Sequence, residues 1–159
     1  MLNSYDVSIG ADPMRALRFV AENLRPGDRI ATSEPHPDAA LLDAGQSDYD
    51  LSFPILHDFV LRKEGKLVDR STASEVIGNL DELQQAFADN DRLWLVCSRE
   101  QMHARGEAIL WRYPGARVQL YLRNNSRLVF RSYRWSVYLW DRNAGHYSSF
   151  REKPANWFE

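Results

Sequence analysis

The hydrophobic pattern of the chain centres on Leu93-Trp-Leu-Val-Cys97, which is apolar at every position and lies between Arg92 and Ser98. A short run of this kind predicts a strand buried on both faces, which requires a sheet with helices packed on each side. Upstream, Asp12-Pro13 supplies a cap and a proline at the first helical position, and Leu17, Val20, Ala21 and Leu24 recur at helical spacing until Pro26-Gly27. The pattern predicts an amphipathic helix there. Arg29 to Thr32 then reads as a short strand, Asp38 to Leu42 as a short helix ending near Gly45, and Tyr49 to Phe53 as a second short strand. Pro54 to Val60 suits more than one period. Gly65 marks a reversal, Leu67 to Arg70 and Glu75 to Ile77 read as extended pieces, and Asn79 with Glu82 forms a capping-box pattern ahead of Leu80, Leu83 and Phe87. Ser98 and Gln101 repeat that pattern after the buried strand. The helix they open uses Met102, Gly106, Ile109, Leu110 and Tyr113 as its apolar face and closes at Pro114-Gly115.

Beyond Pro114 the period changes from about 3.6 to about 2. Val118, Leu120 and Leu122 alternate with Gln119, Tyr121 and Arg123, and Asn124-Asn125 offers a tight turn. Leu128 and Phe130 continue on a return strand, and Trp135, Val137 and Leu139 line one face of a third. The expected fold class is α/β, three-layered, with a mostly parallel central sheet and a C-terminal antiparallel meander. Residues 1–11 are a lead-in and 12–159 a single domain, divided into an α/β half over 12–115, the meander over 116–142 and a tail over 143–159 that Trp157 and Phe158 dock back.

With 159 residues, the chain is long enough to bury a core without metal or disulfide staples. A formal charge of -2 disfavours nucleic acid as a partner, since no broad basic field accompanies it. Cys97 is the only cysteine, which rules out an intrachain disulfide and a thiolate cluster. No apolar stretch approaches the roughly 20 residues of a membrane helix. The histidines lack metal-ligand spacing, and neither a P-loop nor a glycine-rich dinucleotide turn is present, so no metal and no cofactor is expected.

Parallel strands at Arg29–Thr32 and Leu93–Cys97 would bring their carboxyl ends to one edge. Ser33, Glu34 and His36 would then lie near Ser98, Arg99 and His103, around the crevice where open α/β sheets bind ligands. A histidine there is a proton carrier, Glu34 its carboxylate partner and Arg99 an anion clamp. The plainer alternative is that Ser98 caps a helix, the prolines around His36 shape a loop and both histidines face water. Cys97 ends an apolar strand and reads as a buried, inert thiol. Asp48 and Asp50, two apart, do not by themselves specify acid/base work. Arg131, Tyr133, Arg134, Trp135, Tyr138 and Trp140 combine guanidinium groups with rings. They are either an interaction surface or cross-strand pairs that stabilise the meander.

Several segments in order, Leu24-Arg-Pro-Gly-Asp-Arg-Ile30, Ala39-Ala-Leu-Leu-Asp43, Tyr49-Asp-Leu-Ser52, Gly65-Lys-Leu-Val-Asp-Arg70, Val76-Ile77, Asn79-Leu-Asp-Glu-Leu83 and Asp91-Arg-Leu-Trp-Leu-Val96, share a family likeness. Together they resemble the soluble C-terminal portion of bacterial membrane glycosyltransferases that use polyprenyl-phosphate sugars, the superfamily of protein O-mannosyltransferases and lipid A aminoarabinose transferases. The likeness covers roughly Asp12 to Cys97. In that family the catalytic acids lie in loops of a many-helix membrane core, and no residue of this chain matches them. The resemblance therefore implies a non-catalytic accessory or recognition domain at the extracytoplasmic face, partnered by the membrane core of its own polypeptide, an envelope protein or a glycan acceptor. The rival expectation is a stand-alone small-molecule-binding domain or small enzyme using the carboxyl edge of the sheet.

Overall fold

The computed structural model describes residues 5–33, 47–51, 60–70, 72–98, 116–132 and 135–144. Helix α1 spans Tyr5–Asn23. The expected start at Asp12-Pro13 therefore falls inside it, and the lead-in is shortened by a helix that runs through the proline. A turn follows in which Asp28 N–H donates to Arg25 O at 3.0 Å, with Pro26 first and Gly27 second at φ 89°. Only glycine accepts that second position without strain, so Pro26-Gly27 sets the angle at which the chain leaves the helix.

The strands are β1 (Arg29–Thr32), β2 (Tyr49–Asp50), β3 (Val60–Lys63), β4 (Lys66–Asp69), β5 (Glu75–Val76), β6 (Arg92–Ser98), β7 (Arg127–Arg131) and β8 (Trp135–Asp141). They form one sheet in the order β3-β4-β5-β2-β1-β6-β8-β7. Pairs β1/β2, β1/β6 and β2/β5 are parallel, whereas β3/β4, β4/β5, β6/β8 and β7/β8 are antiparallel. The fold is thus a mixed α/β sheet, and the expectation of a mostly parallel one is corrected. The cause is local: tight reversals at Glu64-Gly65 and near Ser132 fold the chain back on itself on both sides of the parallel centre. At the first, Glu64 and Gly65 both take positive φ, 52° and 84°, as a two-residue hairpin of matching twist requires.

Helix α2 (Leu80–Asp89) begins as its sequence dictates: Asn79 accepts the Glu82 N–H at 2.9 Å, and the Glu82 carboxylate accepts the Gly78 N–H at 2.6 Å. Helix α3 (Ala116–Asn125) overturns the first strand of the expected meander. Val118 and Leu122 are four apart and satisfy both periods, so only Leu120 discriminates. A strand would bury Leu120 beside Leu122. A helix turns it roughly 200° away, and it is 51% exposed while Leu122 is 1% exposed.

The core lies on both faces of the sheet. Leu93, Leu95 and Cys97 of β6 pack with Leu83, Ala86 and Phe87 of α2 and Leu122 of α3. Trp94 and Val96 face the other way, against Ala16, Leu17 and Val20 of α1, together with Trp135, Val137 and Leu139 of β8. The apolar run that dominates the sequence is therefore apolar because each face of β6 is covered by helix. Among the described residues no helix is long and apolar enough to cross a membrane. Ser98, expected to cap a helix, is the last residue of β6, and the expected helices over 38–42 and 99–113 and the tail over 145–159 lie outside the described residues.

Candidate functional site

Strands β1 and β6 are adjacent and parallel, with Thr32 opposite Val96, and Ser33 N–H donates to Val96 O at 3.0 Å. In chain order the parallel strands step from β1 to β2 to β5 on one side and then jump to β6 on the other. The carboxyl ends of β1 and β6 thus flank the place where the strand order reverses, the usual position of a ligand crevice in an open α/β sheet. Ser33 and Ser98 are at this edge, as the run of the two strands requires. Glu34, His36, Arg99 and His103 lie outside the described residues, so the proposed convergence of side chains rests on the strand ends alone. Thr32, Ser33 and Asp50 are buried there at 5%, 3% and 2% exposure.

The carboxylate at Asp48 is structural. Its two oxygens accept from Arg29 Nη1 at 2.7 Å and from the Ile30 N–H at 2.9 Å, tying the start of β1 to the start of β2. Asp69 accepts the Thr72 N–H and hydroxyl at 2.8 and 2.9 Å and shapes the turn into β5. Cys97 is fully enclosed, and burial pushes its thiol up to about 12, which removes the nucleophilic thiolate near neutral pH. Among the described residues no group of three or more His, Cys, Asp or Glu side chains is placed to hold a metal ion.

The arginine and aromatic set near the C-terminus divides. Trp135 and Tyr138 are 5% and 4% exposed and belong to opposite faces of the core. Burial raises the Tyr138 hydroxyl above its ordinary range, with Arg123 opposing. Trp140 is partly buried, stacked on Phe87 at 4.9 Å between centroids, and its indole N–H donates to Phe87 O at 3.1 Å. These three rings are packing elements that fasten β8 to the helices, and Arg131 is left exposed at the end of β7. Tyr133 and Arg134 lie outside the described residues.

Sequence reasoning missed a charged node at the opposite edge. Asp28, whose side chain is 3% exposed, accepts the Trp94 indole N–H at 2.7 Å and the Arg25 N–H at 3.0 Å. Arg92 Nε lies 3.5 Å from Asp28 and 3.8 Å from Asp141, and its guanidinium sits 5.7 Å over the Trp94 ring. The available signal was that Asp28 and Arg92 each stand just outside the amino end of one of two predicted parallel neighbours. Adjacent register then brings them together.

No protein-family model, curated protein or solved structure matches this chain.

Proposed function

We propose that this chain is a non-catalytic accessory or recognition domain of a bacterial membrane glycosyltransferase that uses polyprenyl-phosphate sugars. The observation that carries the reading is where the described family-like segments fall. Leu24–Ile30, Tyr49–Leu51, Gly65–Arg70, Val76-Ile77, Asn79–Leu83 and Asp91–Val96 form β1, β2, β4, β5, β6, the turn before β1 and the cap of α2. Neighbouring strands in the order β4-β5-β2-β1-β6 account for all the strand segments. Their polar residues work as fasteners: Asp28 on Trp94, Asp69 on Thr72 and Asn79 on Glu82. Such a set supports kinship of framework with the soluble tails of these enzymes, and it leaves sugar transfer to acids of a membrane core. The domain would then stand at the extracytoplasmic face, covering that core or meeting a glycan acceptor or envelope protein.

A transfer assay tests this. The chain alone, supplied with a polyprenyl-phosphate sugar and acceptor, transfers nothing, while the full enzyme without this segment loses rate or acceptor selectivity. Turnover by the chain alone overturns the reading.

The reversal of strand order at β1/β6 favours a second reading, a stand-alone binder or small enzyme using Ser33, Glu34, His36, Ser98, Arg99 and His103. Substitution of His36 and His103 by Ala would separate the two, because ligand binding depends on them only under the second.

A further inference from the structure

At the amino-end edge of the sheet, the C-terminal part of α1 and the start of β7 leave between them an open cleft of about 420 Å³. Its floor is Trp94, Phe19 contributes a wall, and Arg25, Arg92 and Arg127 line it with Asp141 as the carboxylate among the lining residues. Arg92 is offset by Asp28 and Asp141 together, so Arg25 and Arg127 leave the cleft with a positive excess of one, although the chain as a whole carries -2. Arg92 is the built element. Its side chain is 12% exposed, held between Asp28 and Asp141 and above Trp94, yet Nε and Nη1 have no hydrogen-bond partner among the described residues. Both nitrogens are enclosed by protein, so Arg92 fixes charge beneath the cleft, while the exposed Arg25 and Arg127 supply the donors that line it.

We propose that this cleft binds the phosphate monoester group of a small organic ligand. Arginine forks match phosphate oxygens two at a time, and a monoester carries about -1.5 to -2 charge near pH 7, which suits the cationic excess. The volume exceeds what a bare phosphate fills and falls in the range of small-ligand sites, and the ring of Phe19 offers an apolar contact to the ester's organic part. The proposal stands on the cleft alone and does not depend on the glycosyltransferase reading. A soluble sugar phosphate and a phosphatidic acid headgroup present the same chemistry.

Titration of the chain with hexose 6-phosphate, followed by amide NMR shifts, separates them when run beside unphosphorylated hexose, inorganic phosphate and phosphatidylcholine vesicles containing phosphatidic acid. The double variant Arg25→Gln/Arg127→Gln is the control, since both side chains are exposed and its urea midpoint reports that folding is intact. The expected result is saturable binding of hexose 6-phosphate with shifts at Arg92 and Trp94, weakened about tenfold or more in the double variant and by added salt. Binding confined to phosphatidic acid vesicles, and lost in the double variant, also upholds the proposal and assigns the lipid source. Absence of binding to both, equal binding by the double variant, or equal binding of unphosphorylated hexose overturns it. Inorganic phosphate binding as tightly as the ester overturns the role of the organic part.

Discussion

Replacing Asp28 by Ala removes the acceptor on which three groups depend. The Trp94 indole N–H, in a side chain 2% exposed, loses its partner at 2.7 Å. A buried donor left unmet costs about 1–3 kcal/mol. The Arg25 N–H is at an exposed position and turns to water at little cost. Arg92 is left 88% enclosed, with Asp141 as its ion-pair partner at 3.8 Å, and breaking one side of a buried pair costs about 3–5 kcal/mol. These losses share atoms and do not add, so Asp28→Ala should lower unfolding stability by about 3–5 kcal/mol. Asp28→Asn keeps a carbonyl acceptor and should cost less. Urea denaturation followed by circular dichroism and tryptophan fluorescence measures both. The double variant Asp28→Asn/Arg92→Met, in which no charge is stranded, should cost less than the sum of its single changes by at least about 1 kcal/mol. A loss below about 0.5 kcal/mol for Asp28→Ala, or strict additivity in the cycle, would refute the claim that this node fastens β1, β6 and β8 together.

Other outcomes follow from the same packing. Leu122→Ala should cost about 3–5 kcal/mol and Leu120→Ala under about 0.5, because the helix buries one and exposes the other. Comparable losses in urea melts would restore the strand. Asn79→Ala should lose about 1 kcal/mol by uncapping α2, read as a shift in the urea midpoint. The Cys97 thiol is held neutral by burial, ordinary value 9.0 and about 12 when folded, so above pH 9.0 only the unfolded chain releases the proton. Its contribution is full below pH 9.0 and is lost as pH rises toward 12, by up to about 1.4 kcal/mol per pH unit. Cys97→Ala should therefore flatten the fall in urea midpoint just above pH 9.0, before the tyrosines, ordinarily near 10.0 and also raised, begin to contribute. An unchanged slope in the variant would show that another group governs that limb.

What was legible in the sequence is what one segment decides for itself. Leu93 to Cys97 declares a strand covered on both faces because five consecutive apolar residues leave no side for water. Asn79 and Glu82 announce α2 because the cap uses residues three apart. Where two periods agree, the sequence is silent: Val118 and Leu122 fit a strand or a helix, and the choice passes to tertiary packing of Leu122 in one cluster with Phe87 and Tyr138. Strands β2 and β5 have two residues each, too few to show any period, and owe their existence to neighbours in the sheet. Rings invite a surface reading for the same reason, since exposure is not encoded in residue type, and Trp135 and Tyr138 went into the core. The arginine cleft draws on residues from α1, β6, β7 and β8. Such a site becomes visible only when strand order sets Arg92 beside Asp28 and Asp141.

Sequencing the complete reading frame that encodes this chain decides whether it serves a membrane glycosyltransferase, as proposed. The expected result is a series of apolar spans of about 20 residues upstream of residue 1, forming the core in which sugar transfer takes place. A frame that encodes these 159 residues and nothing more would contradict it, and the carboxyl edge of β1 and β6 would then be the place to look for function.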